Sequence, residues 1–228
     1  MTTNQHESAS GDRARPVDAP HRPRPAGRPR GASDSSRQIA RTVADLISER
    51  GLHGWSMRDL AARLGLSTGT ITHHFRDKRT LLIEAMDSSY ALPADWDRYR
   101  TLPPGTQLRR MVETFLVDSD RRRRGWRFYL EYLTGAGHDP LLRERHDERY
   151  ARQRRFFTRL IAAGIESGQF VTDLGAEREA ESLLALGTGL AVQQLVTPEN
   201  LPPAAAREIL EAYVRRLEGQ VDRPVAGG

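Results

Sequence analysis

The chain has no cysteine among its 228 residues. That absence removes disulfides, thiolate metal ligands and cysteine nucleophiles together, so function must come from other groups. No apolar run approaches the roughly 20 residues needed to cross a bilayer. The first residues are polar and arginine-rich, where a secretory leader would carry an apolar stretch. Both absences predict a cytoplasmic protein with no membrane partner. Alternating apolar and polar residues with β-branched enrichment are missing too, which leaves no basis for a sheet. No glycine-rich phosphate loop, nucleophile elbow or kinase signature is present, so an enzyme reading has nothing to rest on. His138 and His146 lack the companion spacing of a metal site and read as structural histidines, with no cofactor expected. Lysine is almost absent, since Lys78 is the single lysine among 35 Lys+Arg residues. With abundant alanine, that bias points to a GC-rich genome, so arginine counts overstate the demand for charge.

What charge there is sits unevenly. Residues 1–86 hold 14 Lys/Arg against 9 Asp/Glu, whereas residues 87–228 hold 21 of each, so the net +5 belongs to the first third. A one-sided basic excess suits a polyanion partner. Residues 1–34 are rich in Pro, Gly, Ser and Arg with almost no large apolar residue, and too little burial is available there to offset ordering entropy. They are predicted to form a disordered basic arm. From Ser35 to Gly219 the periodicity is helical, which predicts an all-α fold of about nine helices.

The first helix is predicted from Ser36 to Arg50, with Ile39, Val43, Leu46 and Ile47 on one face and Gly51 as its left-handed stop. Ser56 opens a short second helix, with Asp59 as the capping-box acid and Trp55 stapled onto Leu60. Gly65 ends it, and Leu66-Ser67 start a third helix with a second staple from Leu66 to Ile71. Two short helices on such a turn form a helix-turn-helix. Asp77 caps a fourth helix through Met86, extending to Tyr90. After Pro103-Pro104-Gly105, an apolar stripe runs over Leu108, Met111, Val112, Phe115 and Leu116. Trp126 to Leu133 is apolar nearly all round and therefore buried. Further helices are predicted over Pro140–Ser167, Ala176–Val196 and Pro203–Glu218. Arg121–Arg124 fall between two helices and read as solvated surface.

The run from Met57 to Leu82, MRDLAARLGLSTGTITHHFRDKRTLL, resembles the DNA-binding signature of TetR-type regulators, without a gap. Leu60-Ala61, Gly65, Ser67 to Thr70, His74-Phe75, Lys78 and Leu81-Leu82 carry the match. Residues 126–217 resemble the betaine-repressor type of regulatory domain. The resemblance implies a helix-turn-helix domain over 35–86, a ligand-binding and dimerisation domain over 87–219 and a flexible tail over 220–228. It implies a homodimer on double-stranded operator DNA, a sequence-specific repressor released by a small-molecule effector. Thr68, Gly69 and Thr72 would meet bases, helped by Arg58, while Thr70, His73, His74 and Lys78 would meet phosphates. The physics agrees, since a recognition helix presents short polar side chains to base edges. Ile71 and Phe75 have core spacing. The family commonly has Tyr where this chain has Thr72, which leaves the operator sequence open.

Three further assignments each have a plain structural alternative. Arg28 and Arg30, among alternating prolines, resemble a degraded AT-hook that enters an adjacent minor groove, or they belong to a solvating tail. Phe115, Trp126, Tyr129, Glu131 and Tyr132 line an effector pocket, or pack as an aromatic core with Glu131 paired internally. Leu184, Gly187, Ala191, Leu195, Leu210, Tyr213 and Leu217 form a four-helix dimer interface, as the resemblance implies, or an intrachain core. Gly187 and Gly189, inside a helix, fit a tight helix–helix contact. Two rival functions remain: a non-specific DNA-compacting protein, and an enzyme or structural dimer with a vestigial DNA domain.

Overall fold

The computed structural model describes residues 34–89 and 96–219, and every regular element among them is helical. The elements are α1 (Asp34–Arg50), α2 (Met57–Leu64), α3 (Thr68–His74), α4 (Lys78–Ser89), α5 (Trp96–Tyr99), α6 (Pro104–Val112), a 3-10 turn (Glu113–Phe115), α7 (Asp120–His138), α8 (Pro140–Glu166), α9 (Gly175–Val196) and α10 (Pro203–Leu217). The predicted arm with Arg28 and Arg30, the expected end of the fourth helix at Tyr90, and the predicted tail lie outside the described residues. Among the described residues no helix is long and apolar enough to cross a membrane.

Helix starts follow the local chemistry. Ser119 accepts the Arg122 amide at α7, and Asp139 accepts the Leu141 and Leu142 amides at α8. Proline stands in the first turn of α6, α8 and α10, where its missing N–H has no intrahelical partner to lose. Helix α1 buries Ile39, Val43, Leu46 and Ile47. It packs on α4 and α7, while α8 packs on α7 and α9.

Three features differ from the sequence reading. The four-residue α5 was not anticipated. The apolar stripe predicted to run through Leu116 is a helix only to Val112; Phe115 and Leu116 remain buried, but beyond a 3-10 turn. Breaking a helix inside a core exposes backbone groups that need partners, and the buried Gln194 of α9 supplies them. It accepts the Val117 amide at 3.0 Å and donates to the Phe115 carbonyl at 3.2 Å. Finally, Arg121–Arg124 are not interhelical but form the start of α7, where Arg122 pairs with Asp118 and Arg124 with Asp45 of α1.

Candidate nucleic-acid interface

The helix-turn-helix is fixed by its caps. Ser56 accepts the Asp59 amide at 3.2 Å, and the Asp59 carboxylate accepts the Ser56 amide at 2.8 Å, closing the capping box. The Ser56 hydroxyl, followed by its backbone amide, holds the Asp59 carboxyl below its ordinary value. Gly65 ends α2 at φ 65°. The Gly65 amide reaches Ala62 O at 3.3 Å and the Leu66 amide reaches Ala61 O at 3.0 Å, a Schellman closure. Ser67 then caps α3 by accepting the Thr70 amide at 3.0 Å.

These caps set which face of α3 is free. Ile71 and Phe75 are buried, whereas Thr68, Gly69, Thr70, Thr72, His73 and His74 are exposed. Arg58 on α2 is exposed as well. The Thr72 hydroxyl donates back to the helix, 3.1 Å from the Thr68 and Gly69 carbonyls, and the Thr70 hydroxyl lies 2.9 Å from Ser67 Oγ. Gly69 stands in the first turn of α3 rather than in a helix interior, and a Cβ there would meet only Ser67 Oγ, at 3.6 Å. Asp77 caps α4 by accepting the Thr80 amide at 2.7 Å. Lys78 is half-buried: its Nζ donates to the Trp55 carbonyl at 2.7 Å and stands 4.3 Å from the Trp55 ring centroid. Burial holds this ammonium below its ordinary value. Lys78 thus ties the start of α4 to the entry of α2.

The five residues expected to line an effector pocket separate into two groups. Phe115, Trp126, Tyr129 and Tyr132 are buried together with Phe157. Phe115 stacks on Phe157 with centroids 6.1 Å apart, and Trp126 meets Tyr129 edge-on at 5.6 Å. The Trp126 indole donates to the Thr114 carbonyl and the Tyr132 hydroxyl to the Leu142 carbonyl. Burial pushes the Tyr132 hydroxyl up to about 12. Glu131 points elsewhere, accepting the Leu52 amide of the α1–α2 turn at 2.9 Å.

Sequence reasoning missed Arg149 of α8. Only 6% exposed, its guanidinium lies 5.0 Å from the Tyr129 centroid, beside His146 and Tyr150. Nothing in the arginine-rich stretch around it marks which arginine turns inward. Two openings border the regulatory helices. One, of about 200 Å³, lies between α6 and α10 beside Arg109, Glu113 and Arg207; the other, of about 430 Å³, lies between α8 and α9 beside Tyr150, Arg154 and Glu181. Among the described residues no group of three His, Asp or Glu is poised to hold a metal ion.

The seven residues expected at a dimer interface also divide. Leu184, Gly187, Ala191, Leu210 and Leu217 are buried within the chain's own core, while Leu195 and Tyr213 are half-exposed. Gly187 fits the expected close contact, because a Cβ there would come within 2.4 Å of the Phe115 ring; at Gly189 a Cβ would meet nothing. Tyr213 serves a buried network that the sequence did not reveal. Glu179 is fully buried, and its carboxylate meets Thr172 and Tyr213 hydroxyls at 2.5 Å and Arg216 Nη2 at 2.6 Å. Burial works to raise the Glu179 carboxyl, but these hydrogen bonds outweigh it and leave it lowered.

The comparisons with known proteins agree with this arrangement. Residues 39–85 match the family model described as "Bacterial regulatory proteins, tetR family", and residues 104–218 match that of the "BetI-type transcriptional repressor, C-terminal". The HTH-type transcriptional regulator BetI of Klebsiella pneumoniae is 26% identical over 188 residues, 79% of this chain and 92% of that protein. A crystal structure described as a transcriptional regulator from Saccharomonospora viridis in complex with choline has a TM-score of 0.71 and 27% identity, covering 79% of this chain and 95% of that one. A transcriptional regulator from Rhodococcus sp. Rha1 has a TM-score of 0.68 and 25% identity, covering 83% and 98%. With family models matching both its helix-turn-helix and its larger helical part, the chain belongs to the tetR family of bacterial regulatory proteins, and its C-terminal part is of the BetI type.

Proposed function

We propose that this regulator is a homodimeric repressor that reads a two-half-site operator through α3 and leaves it when a small molecule enters the regulatory helices. The observation that carries this reading is the division of α3. Ile71 and Phe75 anchor it, and the whole polar remainder from Thr68 to His74 is solvent-facing. We assign base contacts to Thr68, Gly69 and Thr72, with Arg58 reaching in from α2. Phosphate contacts go to Thr70, His73, His74 and Lys78, the last after releasing the Trp55 carbonyl. Arg28 and Arg30 of the N-terminal segment are assigned to the flanking minor groove.

One short recognition helix reads too few bases for useful specificity, so a second copy is required. The interface we propose lies on the outward faces of α9 and α10, which places Leu195 and Tyr213 at its edge. Val196, 67% exposed, and Ile209, 39% exposed, are its large apolar residues. Val196→Asp with Ile209→Asp is expected to give a folded monomer in sedimentation equilibrium. A dimer that survives both changes contradicts this interface.

The effector site is assigned to the α7–α8 core around Phe115, Trp126, Tyr129 and Tyr132. The guanidinium of Arg149 already covers the Tyr129 ring. A ligand bearing a carboxylate or other anionic group therefore matches this core better than a bare quaternary ammonium does. Release from DNA by small carboxylic acids, with choline as the contrasting probe, tests that class.

Selection from a random duplex pool tests the function as a whole. An inverted repeat with half-sites about 34 Å apart is expected, preferred over unrelated DNA by a factor of about 10³ or more. Failure to enrich any sequence contradicts the reading.

A further inference from the structure

The junction between α7 and the turn after α1 is used neither by the DNA face nor by the aromatic core. Gly51, at φ 77°, ends α1, and the amide of the next residue, Leu52, is donated to Glu131 Oε2 on α7 at 2.9 Å. The same carboxylate lies 3.5 Å from the position of a Cβ on Gly51. The Leu52 side chain fills a notch on α7 left by Gly135. A Cβ at Gly135 would come within 2.7 Å of Leu52 Cδ2 and 3.2 Å of Leu142 Cδ1. Two ion pairs flank the junction, Arg124 to Asp45 at 3.3 Å and Arg79 to Asp139 at 2.8 Å.

Both arginines of the flanking pairs are solvent-exposed, and such pairs hold little. The Leu52 contact is of another kind. It combines a hydrogen bond to a carboxylate, which is directional and stronger than a neutral one, with a side chain seated in the space that Gly135 leaves. The turn that leads into α2 and α3 thus takes its acceptor from the regulatory part of the chain. The placement of Glu131 on α7 adds a second consequence. At about 100° per residue, Arg124, Glu131 and Gly135 share one face of α7, while Trp126 and Tyr129 stand about 140° to 160° round the helix from Glu131. A rotation of α7 that accommodates anything on the aromatic face therefore moves the acceptor and the notch that hold Leu52.

We propose that Glu131, acting through the Leu52 backbone amide, is a positioning residue for operator recognition: it sets the angle at which α2 and α3 leave the regulatory helices. The proposal rests on α3 being the operator-reading element, and not on the identity of any effector. Two recognition helices must meet half-sites one DNA turn apart, so an error in angle loses contacts at one of them. Unrelated DNA is held mainly by phosphate electrostatics and imposes no such spacing.

The test measures full-length protein, at fixed salt, on three duplexes: the operator it selects from a random pool, that operator with a base pair inserted between half-sites, and unrelated DNA. Glu131→Ala is expected to lose about tenfold on the selected operator, to keep its affinity for unrelated DNA, and to discriminate less between the two spacings. Glu131→Gln retains a neutral, weaker acceptor and is expected to keep part of the affinity that Glu131→Ala loses. Gly135→Ala pushes on the end of the Leu52 side chain and is expected to give the Glu131→Ala pattern in weaker form, with Leu52→Ala in the same chain relieving it. Glu131→Ala binding all three duplexes as the unaltered protein does, or losing affinity equally on all three, overturns the proposal. Should Glu131→Ala not fold, a Gly135→Ala defect that Leu52→Ala leaves untouched overturns it as well. If the unaltered protein selects no operator at all, the reading of α3 falls and this proposal with it, an outcome distinct from a failure confined to the variants.

Discussion

Glycine marks the contrast between the two parts of the molecule. In the DNA-binding helices, Gly51 and Gly65 close α1 and α2 with positive φ, each readable from the residues beside it. In the regulatory helices, Gly164 and Gly187 sit inside α8 and α9, where a Cβ would stand 1.9 Å from the Phe170 ring and 2.4 Å from the Phe115 ring. The first pair obeys chain-local rules of termination; Gly164 clears a ring only six positions on, whereas Gly187 clears one 72 positions away in sequence. Caps and turns thus specify the DNA-binding part, while the regulatory part, capped in the same way at Ser119 and Asp139, adds close approach and buried polar networks.

The strongest way to break that contrast is Gly187→Ala, which drives a Cβ into the buried Phe115 ring. A buried ring cannot yield as a flexible chain end does, so overpacking is expected to destabilise the fold by about 1–3 kcal/mol or more, measured by urea denaturation. A neutral result would mean that the close approach is not needed. Tyr213→Phe comes next. It removes a hydroxyl 2.5 Å from the carboxylate of the fully buried Glu179, and leaving a buried acceptor short of a donor is expected to cost about 1–3 kcal/mol. Sedimentation of this variant should be unchanged, because the hydroxyl serves the chain's own core. Ser56→Ala tests the other side: loss of the α2 cap is expected to cost about 1 kcal/mol, with the exchange protection of α2 amides falling and that of α8 and α9 unaffected.

The smallest expected effect is on pH dependence. Burial, with Arg149 beside it, holds His146 below its ordinary value of 6.5. Between the folded value and 6.5 the unfolded chain binds more protons, so this stability is full above 6.5 and declines as pH falls through that window. His146→Phe is expected to flatten the change in urea midpoint between about pH 7.5 and about pH 5.5. An unchanged slope contradicts the assignment.

What was legible in the sequence follows the same division. Ser56, Asp59, Gly65, Ser67 and Asp77 announced their roles because a cap is decided within three or four residues. Ile71 and Phe75 announced theirs by helical spacing. Burial of the aromatic group was legible too, but its neighbours were not. Glu131 stands two residues from Tyr129, yet its carboxylate meets Leu52, 79 positions away. The interface residues were harder still, since Leu184, Ala191, Leu210 and Leu217 have an apolar periodicity that serves an internal core as well as a partner. Only the packed chain shows which face of α9 remains outward. Gln194 and Glu179 gave no signal, because a buried polar residue is recognised by the distant groups it satisfies.

The central claim is that α3 presents its backbone and small polar side chains to DNA, and Gly69 tests it most directly. A Cβ at Gly69 would meet nothing closer than Ser67 Oγ at 3.6 Å, so the folded protein has room for it. Alanine is the better helix former, by about 1 kcal/mol in a helix interior and by less in the first turn. Gly69→Ala is therefore expected to raise the denaturation midpoint while weakening binding to the selected operator, as the added methyl stands between the helix and the bases. A variant that is more stable and binds that operator with undiminished affinity contradicts the account.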